Sequence, residues 1–278
     1  MDSATSEQLH HLWSTASDFS PVESTEVLRE FTSGVCDLLQ ACNCSWLCAV
    51  RGQAPADAHS MTLFDGWWFH DLINFDPKQS SQENTAIFLA LTRQYGHAPT
   101  SLNAVKQAGK TRVHLRRDVH SDEEWTDFWL YREFLAPLCE VGDRMLAVFS
   151  LAPDRDSYLI IDRPVGAPYF DEADRRLAYL ATAGARPLHH RLFFERGLLP
   201  PATKQLSPRE RQIFSYLLTD LSEKEIAEKV SLSVHTVHQY TSSIYRTFRV
   251  RGRIGLLASY LQGNRSGAAG AVRPSITI

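Results

Sequence analysis

The sequence predicts two domains of different class: an α+β domain with an antiparallel sheet flanked by helices over residues 1–195, and an all-α domain of four short helices over residues 205–262. Three observations predict this. Arg196-Gly197-Leu198-Leu199-Pro200-Pro201 punctuates the chain, because a glycine stop followed by two prolines ends a helix and opens an extended connector. Beyond it, serines that suit helix caps precede runs with apolar residues every three or four positions. Before it, helix-period runs alternate with short stretches rich in β-branched and aromatic residues. Residues 196–204 are the expected linker, and 263–278, rich in Gly, Ala, Ser and Arg, form an expected flexible tail.

The N-terminal elements follow in order. Glu26 to Gln40 carries Val27, Leu28, Phe31, Val35, Leu38 and Leu39 at helical spacing. Cys44 to Val50 reads as a strand, and a second is expected from Leu63 to His70. Asn84 to Tyr95 reads as a helix, Arg112 to Arg117 as a strand, and Glu124 to Leu135 as a helix. Met145 to Leu151 and Tyr158 to Asp162 read as strands joined by a turn through Pro153-Asp154-Arg155-Asp156. One long helix is expected from Asp171 to about Glu195, with acids in its first turn where the helix dipole favours them.

In the C-terminal domain, Ser207-Pro208-Arg209-Glu210 places a capping hydroxyl before a proline at the first helical position and a glutamate three residues after the cap. Ser222-Glu223-Lys224-Glu225 repeats the box; Ser233 caps a third helix with Thr236 in the glutamate's place. The first helix offers Ile213, Phe214, Leu217 and Leu218; the second Ile226, Ala227 and Val230; the third Val237, Ile244 and Phe248 on one stripe. A fourth, Ile254 to Leu261, carries Ile254, Leu257, Ala258 and Leu261. Only Ser231-Leu232-Ser233 separates the second helix from the third, which is the spacing of a helix-turn-helix.

Charge separates the two halves. The chain carries −3 overall, but residues 204–265 hold ten Lys/Arg against five Asp/Glu, a net of +5, whereas residues 1–203 hold eighteen against twenty-seven, a net of −9. A basic segment in an acidic chain points to an anionic partner for the C-terminal part. No run of eighteen apolar residues occurs, so no membrane span is expected. The five cysteines, and a polar Met1–His10 without the marks of a secretory signal, lead us to expect reduced thiols and a cytoplasmic protein.

The stretches Leu206-Ser-Pro-Arg-Glu-Arg-Gln-Ile-Phe, Leu221-Ser-Glu-Lys-Glu-Ile-Ala, Leu232-Ser-Val-His-Thr-Val and Ile244-Tyr-Arg-Thr-Phe-Arg-Val-Arg-Gly-Arg together resemble the LuxR-type (GerE) DNA-binding domain over some sixty residues in register. The resemblance implies that Val234 to Phe248 is a recognition helix for the major groove of double-stranded DNA, with His238, Gln239 and Ser242 toward base edges. Gln239 suits a bidentate pair with adenine. Lys224, Thr236 and Arg246 would hold phosphates and set register. Members usually dimerise through the fourth helix, so Ile254, Leu257, Ala258 and Leu261 either serve a homodimer or finish the small core. Three positions depart from the pattern. Asp220 stands where the family places Gly, so a strained or reshaped turn is expected there. Tyr240 stands for His, and Thr247 for Lys, which removes one phosphate contact. His235 and His238 carry charge only when protonated, so the helix is weakly charged and dimerisation matters for affinity.

The order of N-terminal elements, with a closing hairpin followed by Phe170-Asp-Glu-Ala-Asp-Arg-Arg-Leu-Ala-Tyr-Leu180, resembles GAF or related PAS-type sensor domains. The rival is the autoinducer-binding domain of quorum-sensing regulators: Trp67, Trp68, Asp71 and Tyr95 resemble its aromatic-acid pocket, which makes Trp67, Trp68 and Tyr95 the candidate ligand residues. A phosphorylatable receiver is disfavoured, since neither its alternating parallel strands nor its acidic cluster is present.

Cys42, Cys44 and Cys48 form a C-x-C-x3-C group, a pattern open to metal binding or redox sensing. On a strand, however, Cys44, Trp46 and Cys48 share one face, and plain core packing is the expectation. His114, His120, His189 and His190 are scattered, so no metal site is expected. Trp125 and Trp129 lie one helical turn apart and read as core. No phosphate loop, Ser-His-Asp set or paired-carboxylate motif stands out, so neither an enzyme nor a cofactor is expected. The sequence thus points to a sequence-specific transcriptional regulator, dimeric and controlled by a small-molecule effector or partner at its N-terminal domain. The alternative is that this domain is a ligand-free dimerisation or protein-interaction module.

Overall fold

A computed structural model describes residues 2–17, 24–52, 66–96 and 99–269. They fall into two compact units, the first made of the described residues within 2–17 and 26–185 and the second of those within 24–25 and 186–269. The division falls at Ala185/Arg186, whereas the sequence placed it after residue 195.

Among the described residues, the first unit is built on one five-stranded antiparallel sheet in the order β2-β1-β5-β4-β3. The strands are β1 (Asn43–Arg51), β2 (Trp67–Ile73), β3 (Arg112–Leu115), β4 (Val141–Ala152) and β5 (Arg155–Pro164). The expected second strand therefore begins at Trp67 and runs to Ile73; Leu63 lies outside the described residues. Strands β4 and β5 form the expected hairpin, longer at both ends, with Ala152 paired to Arg155 across Pro153-Asp154. Every residue of β1 from Asn43 to Val50 is buried. A strand covered on both faces needs no polar alternation, and apart from the buried Asn43 and Ser45 this run is apolar.

Helix α1 (Ser3–Thr15) has no counterpart in the sequence reading. It packs on α8 (Glu172–Gly184): the Trp13 Nε1–H donates to the Leu180 carbonyl at 3.1 Å, and a Cβ at position 184 would collide with the indole. Gly184 is there so that a tryptophan can lie against backbone. Helix α8 covers β3 and β4. Helix α2 (Ser24–Leu39) buries Val27, Leu28, Phe31, Val35, Leu38 and Leu39, all expected. Helices α3 (Pro77–Ser80), α4 (Gln82–Tyr95) and α5 (Pro99–Lys106) follow β2, and α5 brings Ala104 and Val105 onto the sheet face that carries Leu47, Ala49, Trp67, Leu146, Val148 and Tyr158.

Two expected helices are interrupted. Glu124–Leu135 resolves into α6 (Asp122–Asp127), a break at extended Phe128, and a wide turn at Tyr131–Leu135 that leads into α7 (Ala136–Cys139). Trp125 buries its ring and donates its N–H to the Gly142 carbonyl at 3.0 Å, while Trp129, past the break, is half-buried and stacks on Tyr95. The expected single helix Asp171–Glu195 stops at Ala185 and resumes as α9 (Arg186–Phe194), because Pro187 has no N–H for the helix ladder and its ring crowds the carbonyl four residues back.

In the second unit, α9 is followed by α10 (Pro208–Leu217), α11 (Glu223–Lys229), α12 (Val234–Thr247) and α13 (Arg253–Ala269). The core is Ile213, Phe214, Leu217, Ile226, Ala227, Val230, Val237, Ile244 and Phe248, joined by Leu206, Leu256, Tyr260 and Phe194. Phe194 lies 4.9 Å from the Phe248 ring and meets Tyr260 edge-on at 5.7 Å. Residues 196–204 are not a free extended connector. Gly197, at φ 69°, closes α9; Leu198 is buried; and Thr203 donates its backbone N–H to the Thr247 carbonyl at 3.0 Å. A Cβ at 197 would meet the Lys204 carbonyl at 2.5 Å, so both the left-handed backbone and the space demand glycine. Helix α13 runs to Ala269 and takes in the first part of the expected tail; residues 270–278 lie outside the described residues.

Candidate nucleic-acid interface

The geometry of α11 and α12 begins with three serines. Ser222 and Ser233 accept the N–H of Glu225 and Thr236 at 3.3 and 3.0 Å, and Glu225 returns to the Ser222 N–H at 2.8 Å. Between the helices, Ser231 adopts φ 54° and Leu232 donates its N–H to the Ala227 carbonyl at 2.9 Å. That hydrogen bond closes α11 in the manner of a Schellman cap, with serine where glycine is usual. The turn aims α12 across the unit, with Val237, Thr241, Ile244 and Thr247 buried beneath it.

The opposite side of α12 is free. His238, Gln239 and Arg246 are exposed and Ser242 is half-buried; Lys224, near the start of α11, is exposed, and Thr236 is half-buried with its hydroxyl 2.8 Å from that of Ser233. The structure therefore puts Gln239, Ser242 and Arg246 on the outward side of one helix, as expected. It adds two pairs that the sequence reading did not foresee. His238 Nδ1 lies 3.1 Å from Glu223 Oε2, and Gln239 Nε2 lies 3.1 Å from His235 Nε2. Arg249, at φ 54°, and Arg251 are also exposed just past α12. Their place beyond the helical stripe is why periodicity gave no sign of them.

Of the two outcomes expected at Asp220, a strained or a reshaped turn, the structure shows the reshaped one. Asp220 is outside the left-handed region, and α10 ends without a glycine. The carbonyls left open there are met by one side chain: Arg253 donates Nε–H to Leu217 at 2.8 Å, Nη1–H to Leu221 at 2.5 Å, and Nη2–H to Tyr216 at 3.1 Å and to Thr219. An arginine fork from the start of α13 does what a C-cap glycine does elsewhere. Thr247 is buried and donates to the Ser243 carbonyl at 3.0 Å; Tyr240 packs against the core.

Glu210 ties this arrangement together. It accepts the Ser207 N–H at 2.9 Å, Lys204 Nζ at 2.9 Å and the Ser243 hydroxyl at 2.8 Å, so the first helix is fastened to the middle of α12. Burial raises its pKa, but these donors outweigh it and hold the carboxyl below its ordinary value. On α13, Leu256 and Tyr260 complete the core, whereas Leu257, Ala258, Leu261 and Ile254 (86% exposed) face outward. Of the two readings left open for that stripe, core completion is excluded.

The N-terminal candidates do not converge. Trp67 is buried against the α5-covered sheet face, and Trp68 is half-buried. Tyr95 is exposed on α4, where it stacks on Trp129 with centroids 5.5 Å apart and donates to Glu133 Oε1 at 3.0 Å. The polar group on the Trp67 face escaped the sequence reading: Arg112 Nη2 meets Asp156 Oδ2 at 2.8 Å, and the Tyr158 hydroxyl lies 3.4 Å from the same oxygen. All three are buried, and among the described residues Asp156 Oδ1 and Arg112 Nε have no partner in hydrogen-bond geometry. Burial raises the Asp156 pKa against the pull of Arg112.

Cys44 and Cys48 are buried and Cys42 is exposed, its thiol donating to the Asp162 carbonyl at 3.3 Å. Burial pushes the Cys42 thiol up to about 11, away from thiolate chemistry. Among the described residues no helix is long and apolar enough to cross a membrane.

Residues 204–259 match the GerE family, bacterial regulatory proteins of the luxR family. No curated protein matches the chain. Among solved structures, similarity is found to SdiA in complex with octanoyl-rac-glycerol, at 13% identity over 95% of this chain and 96% of that one, with TM-score 0.48. Escherichia coli SdiA in a second crystal form gives 14% identity, 87% and 91% coverage and TM-score 0.40. The VqsR LBD domain from Pseudomonas aeruginosa gives 11% identity, 65% and 98% coverage and TM-score 0.38.

Proposed function

We propose that this chain, whose residues 204–259 form a GerE domain of the luxR family, is a sequence-specific transcriptional regulator that places α12 in the major groove of double-stranded DNA. One observation carries the reading: α12 buries Val237 and Ile244 completely while it leaves His238, Gln239 and Arg246 exposed on its other side, beside exposed Lys224. Gln239 pairs with adenine, His238 and Ser242 touch neighbouring base edges, and Lys224, Thr236 and Arg246 hold phosphates. The outward stripe of Ile254, Leu257, Ala258 and Leu261 supports a homodimer on two-fold-related half-sites, since a contiguous exposed apolar stripe favours a partner. In the N-terminal unit, the Arg112–Asp156–Tyr158 group beside Trp67 supports control by a small polar-headed effector at that face. A second reading, in which this unit recruits protein without any ligand, is favoured by exposed Val165, Tyr169, Tyr179 and Leu180 along and just before α8.

The test is selection from random duplex DNA with the full-length protein, followed by salt titration on the recovered sequence. Recovery of a palindromic site, weakened by Gln239→Ala by about 1–3 kcal/mol, is expected. Lys224→Ala is expected to lower affinity for all sequences alike and to flatten the salt slope by about 0.9. Binding without sequence preference at any salt would overturn the reading.

A further inference from the structure

A carboxylate at a DNA-reading surface needs a reason, because it repels the phosphates that the neighbouring cations attract. Glu223 is such a residue. It opens α11, one position before Lys224, and its Oε2 lies 3.1 Å from Nδ1 of His238 on the outward side of α12. His238 is 65% exposed and Glu223 34%, so neither is part of the core and packing does not demand the pair. An ionised carboxylate has no proton to give. The bond can form only with an imidazole proton on Nδ1; in the neutral tautomer so fixed the lone pair lies on Nε2, whereas an imidazolium would donate from both nitrogens. In the major groove a lone pair is answered by an amino group, which adenine presents at N6 and cytosine at N4, and is repelled by the O6 and N7 of guanine and the O4 of thymine.

We infer that Glu223 is a specificity-determining positioning residue: by holding the Nδ1 proton of His238 it makes Nε2 an acceptor, and so selects an amino-bearing base, adenine or cytosine, at the position His238 reads. This rests on the proposal that α12 enters the major groove. Glu223 touches no base itself; it acts through the ring. Carboxylates fix the tautomer of metal-bound histidines in the same way; here a base edge stands in place of the metal.

Two readouts on the full-length protein test it. The first is the nitrogen-15 spectrum of His238 in mildly alkaline buffer, assigned by comparison with His238→Ala. A protonated Nδ1 and bare Nε2 are expected in the wild type; a proton on Nε2 would overturn the inference. The second is selection from random duplex DNA with wild type, Glu223→Gln and His238→Ala. Glutamine can donate or accept, so the ring is released to either tautomer. The preference for adenine or cytosine at one position of each half-site should fall about tenfold in Glu223→Gln, by the amount lost in His238→Ala, with the other positions unchanged. A Glu223→Gln protein that binds every sequence more tightly but keeps its base preferences would show that the carboxylate only repels phosphate, and the inference would fall while the regulator reading stood. A wild type that recovers no site at all would bring down the regulator reading and this inference with it.

Discussion

The two units hold themselves together by different means. In the N-terminal unit, buried and half-buried arginines bridge separate segments of the chain: Arg112 to Asp156, Arg116 to Asp143, Arg144 to Asp162 at 2.6 and 2.9 Å, and Arg163 to Asp174 at 2.9 Å. Asp162 alone also accepts from Asn43 and Gln79, so one carboxylate knits β1, β4 and the α3 segment to β5. In the C-terminal unit, polar groups mostly close within three residues, in the boxes at Ser207 and Ser222, and an apolar core does the rest. Antiparallel strands leave their ends and edges to be satisfied by whatever tertiary structure supplies, whereas a short helix can meet its open N–H groups from its own cap. The first unit is therefore sensitive at a few buried ions, and the second at many small local terms.

The sharpest way to break the contrast is to remove a buried ion. Asp162→Ala leaves the half-buried Arg144 guanidinium without its carboxylate, strips an acceptor from Asn43 and Gln79, and should cost the N-terminal unit about 3–5 kcal/mol. All six tryptophans fall between residues 13 and 129, so tryptophan fluorescence in a urea titration reads this unit and not the other. A loss under about 1 kcal/mol would show that the ion pairs contribute little.

Arg253, like Glu210 with Ser243, departs from local satisfaction in the C-terminal unit. Arg253→Ala takes the arginine donor from the carbonyls of Leu217, Thr219 and Leu221 between α10 and α11 and should cost on the order of 3 kcal/mol, read by loss of helical circular dichroism on heating. Arg253→Lys should recover little, since an ammonium cannot span the same fork. Full recovery by lysine would mean that charge, not geometry, is what matters there.

A pH series sharpens the comparison further. Glu195 is buried in the second unit, accepts the Ser24 hydroxyl at 2.7 Å, and is raised to about 7 by that burial despite Arg196 and Arg191. The folded protein thus keeps a proton that the unfolded chain releases near the ordinary glutamate range, and stability falls as pH rises from there to about 7. Glu195→Gln should add about 2–3 kcal/mol at about pH 8 and almost nothing at about pH 4. His190, lowered to about 4 by burial and then by Arg186, works from the acid side: stability is lost as pH falls below its ordinary value toward about 4, and that limb should survive in the glutamine variant. Equal shifts at both pH extremes would remove Glu195 as the cause. The smallest effect belongs to the caps. Ser207→Ala should cost about 1 kcal/mol, seen in thermal unfolding of the same helices and not in tryptophan fluorescence.

This contrast also sets what was legible in advance. The helices at Ser207, Ser222 and Ser233 were readable from cap and stripe, because the residues that satisfy their ends lie within one turn. The outward side of α12 followed from Val237 and Ile244 in the same way, and with it Gln239 and Arg246. The Glu223–His238 pair, fifteen residues apart, was not readable, since the angle between two helices decides which side chains meet. At Asp220 a reshaped turn was legible but its cause was not, for a related reason: a missing glycine is a local sign, and what replaces it, Arg253, is distant.

The N-terminal unit yielded its hairpin and most of its elements, but not the breaks at Phe128 and Ala185, nor α1, whose place depends on Trp13 against Gly184. By itself, then, the sequence determined the class of each unit, the caps and stripes of the C-terminal helices, and the side of α12 left free. Only the tertiary structure decided that α9 belongs with the second unit, that Trp67 and Tyr95 go to different neighbours, and which buried carboxylate each arginine meets. Periodicity reports a residue's position around its own axis, and the long-range pairings depend on how those axes are arranged in space.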